Sequence, residues 1–150
     1  MMERKIQKTF VDTGFGFPIT LLNVPMIKIR GQWTPEIDYN ALTKAALLAL
    51  SEKPVRLAGS EVKFIRLHFE MTLEQFASRF SVSHAAVIKW EKCQDEATKM
   101  SWAQEKDLRL FVIYSLLGKP KKLAELYVEL EKEKSSQKRK IKLDIGELAA

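Results

Sequence analysis

TLEQFASRFSVSHAAVIKWEK, residues 72–92, is the stretch on which the reading of this chain turns. Thr72 is a good helix N-cap, and Gln75 three residues on completes a reciprocal capping box, so a helix is expected to start here. Phe76, Ala77 and Phe80 then face inward. A small residue at 77 is needed where two helices cross steeply over a short turn, because their backbones approach too closely for a large side chain. Ser81-Val82-Ser83 makes that turn, with Val82 filling the gap and Ser83 capping the next helix. In HAAVIKWEK a period of 3.6 directs Val87 and Trp90 to the core. The same period sends Ala85, Ile88, Lys89 and Lys92 outward, with His84 and Ala86 on the flanks.

Working outward, EVKFIRLHFE carries Val62, Phe64, Ile65 and Phe69 as a helical stripe. It follows KPVRLAGS, read as a linker that ends in a turn at Ala58-Gly59 with Ser60 as the next N-cap. Further upstream a helix is expected from about Glu36 to Glu52, started by Thr34-Pro35 or by Asp38 and closed before Pro54. FGFPITLLNVPMIKIRGQW is rich in β-branched and aromatic residues and reads as extended structure, with Pro18 and Pro25 making its strands short or edge-like. An irregular arm without a sheet is the alternative. Downstream, Ser101 and Gln104 form another capping box, and the apolar run to Leu117 stops at Gly118 with Pro120 behind it. A last helix should carry Leu123, Leu126, Tyr127 and Leu130 on one face, after which KEKSSQKRKIK reads as polar and mobile.

A chain of 150 residues that is 46% hydrophobic and 29% charged belongs among globular proteins. No apolar run approaches the roughly 18 residues of a membrane span, and MMERKIQKTF lacks a signal peptide's apolar core, so a cytoplasmic location with no membrane association is expected. Cys93 is the single cysteine, and His68 and His84 are the only imidazoles. No disulfide, metal site or other cofactor is therefore expected, and Cys93 reads as an inert thiol. No acid pair or nucleophile–base grouping can be nominated, and Gly14 and Gly16 are too isolated to cradle a phosphate, so the chain does not read as an enzyme. The net charge of +6 suits a polyanionic partner. Yet residues 59–95 hold five basic and five acidic side chains, whereas 135–150 hold four and two, so the excess lies mostly outside the 72–92 stretch.

That stretch resembles the XRE/Cro family of helix-turn-helix regulators across its whole length, since the cap, the small residue, the turn and Trp90-Glu91 coincide. Members often carry glycine at the position of Ser81, where a left-handed backbone is favoured. The resemblance implies that HAAVIKWEK enters the major groove of double-stranded DNA. Ala85 and Ile88 would touch thymine methyls there, and His84 and Lys89 would hydrogen-bond base edges or phosphates. Thr72 and Ser83, at helix N-termini, would help to position phosphates, with Arg79, Lys92 and Lys99 as further contacts. The plain alternatives are a solvated His84 and ordinary surface charges at Arg79 and Lys99; Trp90 is a core residue. Such modules read palindromic operators as homodimers. The apolar density between Ser101 and Leu130 offers a pairing surface, or else closes the core.

More widely, TGFGFPITLLNV, then a helix, then LAGSEVKFIRLHFEMTLEQFASRF is similar to the MqsA-type antitoxin and regulator family, a zinc ribbon joined to an XRE domain. That similarity implies an autoregulating repressor of its own promoter in a toxin–antitoxin-like operon, whose N-terminal domain binds a toxin protein. The family's zinc cysteines are absent, with MIKIRGQW standing where one pair belongs, so zinc is not carried over. The expected fold is mainly α: a five-helix XRE-type domain over 57–134, preceded by a small α+β, partner-binding region over 1–56 and followed by a basic tail over 135–150. A rival reading is a protein-interaction module in which DNA binding is weak or lost.

Overall fold

The proline-punctuated N-terminal third builds a sheet in which a strand from the other end of the chain takes part. The computed structural model describes residues 2–118 and 120–148. Strands β1 (Arg4–Asp12), β2 (Ile19–Ile29), β3 (Gln32–Pro35) and β4 (Ile141–Asp144) form one four-stranded mixed sheet. β2 lies antiparallel to β1 along nearly its whole length and antiparallel to β3 from Met26 to Ile29. From Ile19 to Leu22 it lies parallel to β4. Arg30 and Gly31, at φ 50° and 78°, make the two-residue turn between β2 and β3, whose hand matches the twist of the strands.

Proline sits inside this central strand, contrary to the expectation of short or edge-like strands. Pro25 falls between Leu22, where the β4 ladder ends, and Met26, where the β3 ladder begins, so its missing N–H costs neither ladder a bond. Asn23 has a left-handed φ of 54°. Its amide donates to Asp144 at 2.9 Å, just beyond β4's pairing with β2. The phase of the strand changes there: Ile19 and Leu21 are buried before it, Val24 and Met26 after it.

The mainly α expectation is corrected by this sheet; the chain is mixed α and β. Residues up to Ala46 together with those from Lys140 onward form one compact unit, and Leu47–Arg139 form a second. The helices downstream of residue 57 do not stand as a separate five-helix domain, because the second unit also takes the end of α1 (Tyr39–Ser51) and runs on to Arg139. The segment expected as a basic tail supplies β4 and a short helix, α7 (Ile145–Leu148), with Ile141 and Ile145 buried. IKLDI carries that signal as alternation, hidden behind its run of cations.

The helix expected from Glu36 begins at Tyr39 instead, because Asp38 takes the cap: its Oδ1 accepts from the Asn40 and Ala41 amides at 3.0 and 3.2 Å. Thr34 and Pro35 belong to β3. In the second unit follow α2 (Gly59–His68), α3 (Leu73–Arg79), α4 (His84–Glu91), α5 (Trp102–Leu117) and α6 (Pro120–Glu129). α5 starts at the reciprocal Ser101–Gln104 box and ends at Gly118, φ 56°. Leu126 and Leu130 pack on Ile113, whereas Tyr127 turns outward beneath the Lys106 ammonium, 4.0 Å from its ring centre. Among the described residues no helix is long and apolar enough to cross a membrane.

The largest departure from expectation is the stretch read as a linker. Lys53 and residues 55–59 are all buried. Glu105, wholly buried on α5, accepts from Arg56 Nε at 2.8 Å, the Leu57 amide at 3.1 Å and Arg109 Nη2 at 2.8 Å. Arg109, equally buried, also donates to the Lys53 and Val55 carbonyls at 2.6 Å each, and Arg56 donates to the Met100 carbonyl. Burial pushes the Arg109 guanidinium below its usual value, while the Glu105 carboxylate works in the opposite direction. Beyond α6 the chain returns along the same strap: Ser135 pairs with Val55, and Glu133 accepts from Arg56 at 3.1 Å. Lys138 ends that return on Asp95 and Glu96, at 3.2 and 2.7 Å. KEKSSQKRKIK is therefore held in place up to Lys138.

Candidate nucleic-acid interface

α3 and α4 are joined by four residues, and each end of that joint is set by a side chain. Thr72 Oγ1 accepts from the Gln75 amide at 3.1 Å, and Gln75 Oε1 accepts from the Thr72 amide at 2.9 Å, closing the capping box. Ser83 Oγ accepts from the Ala86 amide at 3.3 Å and starts α4. Both hydroxyls are thus engaged with their own helices. Between them Val82 N donates to the Ala77 carbonyl at 3.0 Å, which folds the chain back over α3. Phe76, Ala77, Phe80, Val87 and Trp90 are buried between the helices, and Phe80 meets Trp90 edge to face at 6.1 Å. Val82 is half-buried in the gap.

Ser81 carries the left-handed backbone the turn requires, at φ 55°. A non-glycine residue pays about 1 kcal/mol or more for that conformation, and glycine gives back part of it through its freer unfolded chain. Ser81→Gly is therefore expected to stabilise the protein by about 0.5 kcal/mol. Paired urea titrations would read it; an unchanged or lower midpoint would mean that the Ser81 side chain contributes more than its backbone costs.

The outward stripe of α4 divides into exposed and partly covered positions. His84, Ala85, Lys89 and Lys92 are exposed, whereas Ile88 is half-buried and so presents only part of its side chain. Among the described residues Lys89 and Lys92 have no ion-pair partner. Arg79 stands apart from them. Its guanidinium grips Asp107 of α5 through two bonds, of 2.6 and 3.0 Å, and lies over the Phe80 and Phe111 rings. Any phosphate contact by Arg79 competes with that fork. Lys99 is exposed in the segment before α5.

Comparison with known protein families, curated proteins and solved structures finds no match to this chain.

The arrangement is held from behind by residues that sequence reasoning passed over. Arg66 of α2 donates Nε and Nη2 to the Glu91 carboxylate at 2.6 and 3.0 Å, and Nη1 to the Met71 carbonyl at 2.9 Å. One side chain so ties α2, the approach to α3 and the last turn of α4. Gly59 completes the clamp: a Cβ there would lie 2.5 Å from the Trp90 carbonyl oxygen and 2.7 Å from the Gln94 amide. The signal available beforehand was an arginine on the apolar side of EVKFIRLHFE, where a charge needs a buried partner. On another side, Arg79, Leu110, Phe111, Tyr114, Leu123 and Tyr127 line an open apolar groove of about 270 Å³. Among the described residues no group of three or more His, Cys, Asp or Glu side chains is placed to hold a metal ion.

Proposed function

We propose that the chain is a sequence-specific DNA-binding transcriptional regulator of the XRE/Cro type, with α4 as the reading helix. The observation that carries this is the stripe of His84, Ala85, Lys89 and Lys92, exposed on a helix whose opposite face is locked by Val87, Trp90 and the Arg66–Glu91 fork. A short rigid helix offering small side chains beside two unpaired ammonium groups suits the major groove, where methyl groups and base-edge acceptors lie side by side. Ile88 adds a partly covered apolar contact. Thr72 and Ser83 would approach phosphates at the helix N-termini they start, where the other first-turn amides are left free by the caps. In this reading the protein is a cytoplasmic homodimer that represses its own promoter at a palindromic operator. The similarity to MqsA-type antitoxins extends it to a toxin–antitoxin-like operon, with the sheet-bearing unit as the surface offered to a toxin protein.

The test is binding to a duplex from the protein's own promoter and to a scrambled duplex across a salt series. Own-promoter binding should be tighter by about a thousandfold, and the preference should survive salt that removes purely ionic contacts. Replacing His84 and Lys89 together by alanine should erase the preference while leaving the fold intact, since both side chains are exposed. Equal binding to both duplexes would reject the proposal in favour of a protein-interaction module.

A further inference from the structure

β1 leaves one edge open. Among the described residues it pairs with β2 alone, and its nine residues contain no proline to block another strand. Its two large exposed aliphatic side chains are Ile6, 73% exposed, and Val11, 57% exposed. A regular strand would put residues five apart on opposite faces. Here the partly buried positions are Gln7, Phe10 and Asp12, so the alternation slips by one residue at Lys8-Thr9, across from the left-handed Asn23 of β2. Ile6 and Val11 consequently share the outward face, and Gln7, Phe10 and Asp12 share the other.

That slip makes the strand complementary to itself. Turning β1 half a revolution about an axis between Lys8 and Thr9 lays it antiparallel along its own copy. Ile6 then stands opposite Val11 of the second copy, Gln7 opposite Phe10, and Lys5 opposite Asp12. Directly opposed residues in an antiparallel pair must point to the same face. Without the slip the Ile6–Val11 and Gln7–Phe10 pairs would violate that rule; with it they satisfy it. One apolar pair, Ile6–Val11, and one opposite-charge pair, Lys5–Asp12, result, each made twice by the symmetry, which closes after two chains. We propose that the free edge of β1 joins two copies of this chain through an antiparallel β1–β1 ladder. The α5–α6 groove, within the stretch first expected to pair the copies, is apolar but has no comparable charge pattern that selects a second copy.

The proposal does not depend on DNA binding, and its test contains no DNA. Sedimentation equilibrium of the full chain should show a reversible dimer. Ile6→Lys with Val11→Lys opposes like charges across both apolar pairs and should weaken the dimer roughly a hundredfold or more, with a melting temperature unchanged from the parent's when both are dilute enough to be monomers, because both positions are exposed. Lys8 lies diagonal to its own copy beside the axis, so Lys8→Ala should tighten the dimer about threefold and flatten its dependence on salt. Should the double variant misfold, the Lys8→Ala result decides. A chain that stays monomeric, or a dimer indifferent to these substitutions, would overturn the proposal, the latter by placing the pairing on another surface.

Discussion

Glu105→Gln is expected to cost about 3–5 kcal/mol of stability, a large part of the 5–15 kcal/mol that holds a domain of this size together. Glutamine keeps the shape of the side chain and removes its charge. Arg56 and Arg109 would then face each other in a site from which water is excluded, with Glu105 and Arg109 both fully buried. The amide could accept from one guanidinium but would present an N–H to the other. Thermal melting should show a fall of roughly 10 °C, and urea titration a lower midpoint with little change in slope. Replacing all three charged residues by apolar ones, often harmless for a buried ion pair, should not rescue this protein. The carbonyls of Lys53, Val55 and Met100 depend on those guanidiniums and would be left buried without donors. A triple apolar variant as stable as the parent would show that the strap does not need its ionic anchor.

Gly59→Ala should cost about 3 kcal/mol, the upper end of what overpacking usually does. By helix propensity alone alanine would gain up to about 1 kcal/mol in the first turn of α2, so the two effects have opposite signs and the contact distances decide between them. The added methyl carbon would meet the Trp90 carbonyl at 2.5 Å, the Gln94 amide at 2.7 Å and the Glu91 carbonyl at 2.9 Å, all of them backbone. No side-chain rotation relieves that, so α2 must move from the end of α4. The movement would strain the Gly59 and Ser60 amide bonds to the Glu96 and Gln94 carbonyls, and the Arg66–Glu91 fork beside them. Circular dichroism melting of Gly59→Ala against Gly59→Ser would read the effect, since serine should behave no better. A neutral alanine variant would mean that α2 and α4 are free to separate.

What could be read beforehand was what is local. The caps at Thr72, Ser83 and Ser101, the stop at Gly118 and the inward set from Phe76 to Trp90 each follow from residues within four positions of one another, which is the range of a helical turn. Long-range pairing was not legible. β1 was passed over because its alternation is weak on an exposed edge, and the β4 pairing joins segments whose side chains Asn23 and Asp144 are 121 positions apart. The strap at 53–58 looked like a linker because its arginine and lysine resemble surface residues until the buried Glu105 and Glu61 that receive them are known. At the candidate interface, periodicity placed the α4 stripe. It had no means of foreseeing that Asp107, 28 positions away, would hold Arg79.

The parallel pairing of β4 with β2 has a consequence for how the protein is made. A ribosome releases β1, β2 and β3 early, yet the sheet they belong to stays short of one strand until the whole second unit has been synthesised. For that interval the Ile19–Leu22 edge of β2 is bare, and it is an apolar edge. The second unit, continuous from Leu47 to Arg139, can acquire its core from its own residues as they emerge. The nascent chain thus carries an uncapped sheet for as long as its second unit is being made. Chaperone dependence and aggregation on truncation should be concentrated in that window.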